Sequence, residues 1–398
     1  MLKFERFIKF LEFLNYNPKI DKSDKMDIDI KIGTEGTFIP PFDRGIETIK
    51  RIEASGYDSV WFADHLMGWI PESIWNPKDI EMATIQNSPH DFYDVYYVMS
   101  VAAWNTQNIN LGTSVTETFR RHPAVLAQTF LTLDHISKGR AIMGIGTGEG
   151  ENIIPYGIKW EKPVSRLEEA IKIIRLLWEN EEKVNFEGNF WKLKNAVLSI
   201  KPFREREFPP IWIAAHGPQM CELTGKLGDG WLPSNFDPKT YKEKLEIIQK
   251  SAKKAGRDME NFTPGLWCNI IIDEDHNECD RLLESAYVKN YSLILSNEHF
   301  EKYGVSHPFG KDFYGLLDYI PTQYDRETML EAFDKIPTKL CEETFLHGTP
   351  DEIISKLEEY AKAGLKHIVL YNITYNCDVS KVKSSFGCIK KVLQYFKS

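Results

Sequence analysis

Long apolar runs are missing from this 398-residue chain: no stretch approaches the eighteen or so residues that a membrane span needs. The N-terminus lacks the short apolar core and small-residue cleavage site of a signal peptide. Basic residues are outnumbered, 49 against 58 acidic, and the formal net charge of −9 argues against a nucleic-acid binder or an anionic-membrane protein while leaving room for a local basic pocket. Cysteine is sparse. The six stand far apart, at 221, 268, 279, 341, 377 and 388, with no CxxC pair and no Cys/His cluster. That spacing favours reduced thiols in a cytoplasm over disulfides or zinc, and no metal site is expected.

What is present is an alternation of short apolar runs and helical stretches from Ile28 onward. "IDIKIG", "YDSVWFAD", "INLGTSVT", "RAIMGIGTG", "PIWIAAH", "DGWLPSN", "FTPGLWCNIII" and "KHIVLYNI" read as eight strands with helices between them. Such alternation implies right-handed crossovers and a parallel sheet, and eight strands close a (β/α)8 TIM barrel. Residues 27–398 are expected to form that single α/β barrel. Insertions are expected near 65–90, 183–205 and 296–345, the second as a hairpin and the third as a lid. Residues 1–26 place Phe4, Ile8, Leu11 and Leu14 near helical spacing. They read as an amphipathic helical extension packed on the barrel or on a partner subunit.

In a barrel of this kind the site lies at the C-terminal strand ends. Those ends carry Glu35, Asp64–His65, "GTSVTET", "GIGTGEGEN" and "AAHGP". Glycines, hydroxyls, carboxylates and histidines thus converge on one rim while the strand bodies stay apolar. "GIGTGEG" is not a dinucleotide fingerprint, because the third glycine position is Glu149 and "NIIPYGIKWEKP" separates it from the next helix. It suits a rim where backbone approaches a flat ligand closely. Gly217–Pro218 opens a helix whose first N–H groups could receive a phosphate, although a plain proline-initiated helix has the same spacing. Trp104, Trp178 and Trp191 read as core or hairpin packing, and His122 and His135 as structural.

"ADHLMGW", "GTSVT", "RRHPAVLAQTFLTLDHISKGRA", "GIGTGEGEN", "WIAAHGP" and "GDGW" resemble the luciferase-like hydride-transferase superfamily, and within it the deazaflavin (coenzyme F420) branch. "YGIKWEKPVSR", "SHPFGKDF", "YIPTQYDRET" and "GTPDEII" resemble the ketoreductase type of that branch, which carries a long insertion. The resemblance runs from about Asp27 to the C-terminus. It implies that Asp64 hydrogen-bonds the cofactor, while His65 and Trp69 face a small-molecule substrate beside its ring. It further implies that Ser114–Val115 lie under the ring, commonly through a non-proline cis bond. Gly146, Thr147, Gly148, Glu149 and Asn152 would line the cofactor, with Ala214, Ala215, Gly217 and Pro218 at its phosphate end. His65, Glu149 and Trp69 would serve the chemistry. "TETFRR" and "SNFD" depart from the sugar-phosphate dehydrogenases of the branch, which makes a sugar phosphate a poor substrate here. The resemblance implies a homo-oligomer, as a dimer, and exposed apolar residues on helices two and three are the expected contact. An FMN-dependent monooxygenase shares the fold and is the main alternative; a glycoside hydrolase and a non-catalytic cofactor carrier are the others.

Overall fold

The structure is a computed structural model that describes residues 28–397; the expected extension 1–26 lies outside the described residues. Eight strands, β1 (Lys31–Glu35), β2 (Ser59–Phe62), β3 (Asn110–Thr113), β4 (Ala141–Ile145), β5 (Ile211–Ile213), β6 (Gly230–Trp231), β7 (Thr263–Ile272) and β8 (His367–Asn372), pair in parallel in that order. β8 pairs back onto β1 with Lys31 opposite His367, which closes the TIM barrel. Every residue of β2 and β4 is buried, as expected for strands covered on both faces.

The barrel interior is filled by a few large side chains against glycines. Trp61, Trp212, Ile142, Leu232 and Val369 form one cluster. A Cβ on Gly112 would lie 2.4 Å from Trp61, and one on Gly230 2.6 Å from Trp212, so the indoles occupy the space those glycines leave. Deeper in, Ser59 Oγ stands 2.7 Å from His367 Nε2 and accepts the Trp61 indole N–H at 2.8 Å. No polar group of that trio lacks a partner, as a dry interior demands.

Outside the barrel, α1 (Phe42–Ala54), α2 (Val95–Trp104), α3 (Pro123–Ser137), α4 (Pro163–Glu179), α5 (Pro218–Leu227), α6 (Pro238–Lys254), α7 (Pro350–Lys362) and α8 (Val382–Lys397) surround it. Five of these begin with proline, where the missing N–H costs nothing. The expected hairpin forms between Val184–Glu187 and Lys192–Ala196. Trp178 and Trp191 are buried, the first stacked on Phe208. Trp104 does not pack as expected: it is 78% exposed on the outer side of α2. Its position at the last turn of the helix points it away from the core face made by Val98, Met99 and Ala102.

Between β7 and α7 the chain makes a long excursion with its own apolar cluster, which includes Leu293, Phe300, Tyr319 and Phe345. The same cluster takes in Ile70, Ile74 and Ile80 from the loop after β2. Arg326 of the excursion and Asp79 of that loop add an ion pair at 2.8 Å. Two segments far apart in sequence thus build one cap beside the strand ends.

Candidate active site

β2 ends by delivering Asp64 and His65, and the two fare differently. Asp64 is 4% exposed and its Oδ2 accepts from Thr116 Oγ1 at 2.8 Å and Arg121 Nη1 at 2.6 Å. Arg120 Nη2 lies 3.2 Å away and also donates to the Asp64 carbonyl at 2.6 Å, while its Nε pairs with Glu117 at 2.6 Å. The carboxylate is therefore held by two guanidinium groups, a charge-assisted arrangement that a buried acid requires.

His65 turns toward the loop after β4. Its ring stacks on Phe92 with centroids 5.3 Å apart and meets Trp69 edge-on at 5.3 Å. Nε2 stands 3.4 Å from Glu149 Oε2. Nδ1 lies 3.1 Å from an acceptor, the Met67 carbonyl, and 3.1 Å from a donor, Asn152 Nδ2. Each neutral tautomer therefore has a partner for Nδ1.

Asn152 fixes this corner. Its Oδ1 accepts from the backbone of Leu66 at 2.6 Å and Met67 at 3.3 Å, which orients the amide so that Nδ2 donates to Glu151 Oε1 at 2.8 Å. Trp69 Nε1 donates to the same Oε1 at 2.6 Å. Glu151 is fully buried, and burial, reinforced by the negative charge of Glu149, holds its carboxyl well above the usual range. His65, Glu149 and Glu151 bring ligand atoms within 4.8 Å of one another. Two N–H donors already occupy Glu151 Oε1, so the trio suits a proton better than a cation.

Beside this corner, the Ser114–Val115 peptide is cis, and Ser114 Oγ is buried with no hydrogen-bond partner among the described residues. A Cβ on Gly146 would lie 2.9 Å from Val115 Cγ2 and 3.5 Å from Ala214 Cβ. Gly148 has φ +85°, and a Cβ there would strike Ile153 at 2.5 Å. The Thr147 carbonyl accepts the Trp160 indole at 3.0 Å. Ala215 is buried with its carbonyl on Trp231 Nε1 at 2.9 Å, while Gly217 and Pro218 are exposed at the start of α5. Among the described residues no side chain caps α5 at Gly217, and a Cβ on Gly217 would meet nothing within 4 Å.

Glu35, at the end of β1, accepts from Thr37 N at 2.6 Å, and burial pushes its carboxyl up to about 7. Its charge acts on Tyr291, Tyr371 and Tyr375. Tyr291 also meets Trp69 edge-on at 5.3 Å, which links this side of the mouth to the His65 corner.

The structure thus brings His65, Trp69, Glu149 and Asn152 into one corner, while Asp64, next to His65 in the chain, is bonded to Thr116, Arg120 and Arg121 instead. Ser114, Val115, Gly146 and Ala214 form an adjoining wall, and Gly217 and Pro218 stand at its far end. Glu151, Arg120 and Arg121 were missed. The alternating acids of "GEGEN" were a readable signal for Glu151, and the doubled arginine after "TETF" for the other two. Tyr291 left no signal, because it comes from the excursion, more than two hundred residues beyond Trp69.

Comparison with known proteins gives the family and the fold. Residues 25–367 match the family model described as luciferase-like monooxygenase. The chain is 37% identical over 338 residues to the phthiodiolone/phenolphthiodiolone dimycocerosates ketoreductase of Mycobacterium tuberculosis, covering 84% of this chain and 88% of that one. It is 29% identical over 332 residues to 5,10-methylenetetrahydromethanopterin reductase of Archaeoglobus fulgidus, covering 81% and 87%. Among solved structures, an F420-dependent secondary alcohol dehydrogenase bound to an F420–acetone adduct shares the fold with TM-score 0.72 at 23% identity, covering 93% of this chain and all of that one. A long-chain alkane monooxygenase shares it with TM-score 0.65 at 18% identity, over 93% and 91%. The chain belongs to the luciferase-like family of oxidoreductases.

Proposed function

We propose that the protein is a coenzyme F420-dependent oxidoreductase that moves a hydride between the deazaflavin and a carbonyl/alcohol or methylene-pterin-type substrate. The observation that carries this reading is the corner where His65, Trp69, Glu149 and Asn152 meet beside the wall made by Ser114, Val115, Gly146 and Ala214. The residues fit the cofactor on two counts: among the described residues the buried Ser114 Oγ lacks a partner, and the exposed start of α5, which has no side-chain cap, suits a phosphate. The bound deazaflavin supplies hydride transfer at a ring carbon, the hard chemistry that the protein only positions. His65 handles the proton on the substrate oxygen, because both of its tautomers are supported and it faces an acid. Asp64 is held between Arg120 and Arg121, so it anchors the strand end beside the cofactor while His65 moves the proton. Trp69 and Phe92 keep water from the imidazole. The two ketone- and pterin-reducing relatives point to a carbonyl or methylene carbon as the hydride partner.

We further infer a homodimer meeting through α2 and α3, on whose outer faces Tyr97, Trp104 and Val125 are 75%, 78% and 51% exposed. Six unpaired cysteines fit a reducing, cytoplasmic setting.

Titration with oxidised and reduced F420 and with FMN, followed by tryptophan fluorescence, tests the cofactor. Selective deazaflavin binding, with His65→Asn binding equally well but turning over on the order of 10²-fold more slowly, supports the reading. Selective FMN binding with oxygen uptake overturns it in favour of a monooxygenase.

A further inference from the structure

We propose that Glu151 is a positioning residue that shares one proton with Glu149, and that this carboxyl pair is the reserve from which His65 is reprotonated. The geometry leaves few options. Glu151 Oε1 is taken by Trp69 Nε1 at 2.6 Å and Asn152 Nδ2 at 2.8 Å. Glu151 Oε2 is buried, and among the described residues no donor faces it. Beside this carboxyl stands a second one, Glu149, an oxygen of which lies within 4.8 Å of a Glu151 oxygen and of a His65 nitrogen. Two adjacent ionised acids, one of them fully buried, repel each other, and an ionised Oε2 would forfeit its hydrogen bonds to water. Protonated, the same oxygen becomes a donor and Glu149 its acceptor. The pair then holds one proton and one negative charge, and it titrates in two steps that belong to the pair.

The groups facing Glu151 are few. They are His65 from the loop after β2, Glu149 from its own loop, Tyr156 from the turn that follows, and Tyr319 from the excursion. Glu149 in turn faces His65 and Tyr291. Arg120 acts on Tyr156, and His65 is the one cation-forming group in direct reach of either acid among the described residues.

The role in turnover rests on the hydride-transfer reading; the shared proton does not. Reduction of a carbonyl adds a hydride at carbon and a proton at oxygen. The oxygen, having received the electron pair of the broken C=O π bond, takes its proton from His65. Glu151 passes its proton to Glu149, which hands it on to His65 Nε2, 3.4 Å away. The pair thereby goes from one negative charge to two, and solvent restores the proton after product leaves. In the oxidative direction the same proton travels the other way.

The first test is infrared absorption of the full chain carrying 13C-labelled glutamate, without cofactor, at pH 8, where Glu35 is largely ionised. The wild type is expected to show a protonated-carboxyl band that shifts with the label and disappears in Glu151→Gln, while Glu35→Gln keeps it. Absence of that difference overturns the proposal. Glutamine preserves the bonds to Trp69 and Asn152, so the variant is expected to fold, and Glu149→Gln, which should shift the same band, is a second route to the answer. The second test is the pH profile of reduction. Glu151→Gln is expected to lower kcat about 10-fold with KM little changed and to abolish the alkaline fall in rate. An unchanged profile beside an intact band overturns the reserve role. Failure of F420 to bind overturns the hydride-transfer reading and leaves the infrared result to stand or fall alone.

Discussion

Gly150 touches the Leu317 carbonyl so closely that a Cβ on the glycine would lie 2.3 Å from that oxygen. One residue links the β4 loop, which carries Glu149 and Glu151, to the excursion that caps the barrel. Gly150→Ala must push the two apart, because backbone cannot yield as a flexible side chain does. Overpacking of this kind costs about 1–3 kcal/mol. Thermal unfolding should show that loss, and hydrogen exchange at residues 315–319 should quicken. Unchanged exchange in a folded variant would mean that the cap does not depend on this seat.

Asp64 is expected to matter for stability as well as for the cofactor. Asp64→Asn leaves Arg120 and Arg121 facing a neutral amide with their side chains only 9% and 17% exposed. Breaking a buried pair from one side costs about 3–5 kcal/mol. Arg121→Ala should cost less, since Asp64 keeps Arg120 and Thr116. Denaturant titration of both variants checks the order, and the reverse order would sink this account of Asp64.

Much of this was legible in the chain because local and global signals agreed. The strands announced themselves as short apolar runs ending in glycine or polar residues, and Pro218 marked the start of α5 as its spacing suggested. Asp64, His65 and Trp69 could be placed because they sit within one loop. The failures share a cause. Trp104 lies on an apolar helix whose periodicity does not separate a core face from an uncovered one, so its exposure could not be read. Tyr291 and Leu317 reach the site through tertiary packing of the excursion, which no local pattern encodes. Glu151 was overlooked beside Glu149, since spacing alone does not reveal which of two acids is buried.

Glu35 should register in stability as pH rises. Its carboxyl is pushed up to about 7 by burial, so the folded state prefers it protonated. That contribution is complete below the unfolded value near 4.5 and is lost as pH rises through 7. Glu35→Gln removes the dependence. The variant should therefore gain on the wild type between pH 4.5 and 8, by at most about 3 kcal/mol, and by less insofar as water still reaches this half-buried group. A constant difference between the two across that range would refute the shift.

Trp104 offers a test of assembly that leaves the site untouched. Placing a charge on an exposed apolar patch removes its reason to be covered, so Trp104→Glu should shift the protein toward monomer in analytical ultracentrifugation. F420 affinity should be unchanged. A wild type that sediments as a monomer, or a variant that dimerises as strongly, would move the contact elsewhere.

His367 carries the last prediction. It is buried inside the barrel against Ser59 Oγ at 2.7 Å, and burial pushes its imidazole down to about 4. The folded state therefore holds the neutral ring, whereas the unfolded chain binds a proton near pH 6.5. Stability from this group is complete above 6.5 and is lost as pH falls toward 4, where the unfolded state takes up the extra proton. The gap corresponds to about 3 kcal/mol across that window. His367→Gln should be less stable at pH 7, because it disturbs the bond to Ser59, yet the deficit should narrow as the pH is lowered to 4. Chemical denaturation of both proteins at several pH values between 4 and 7 measures this directly. A deficit that stays constant over the window would mean that His367 is not held neutral by the barrel.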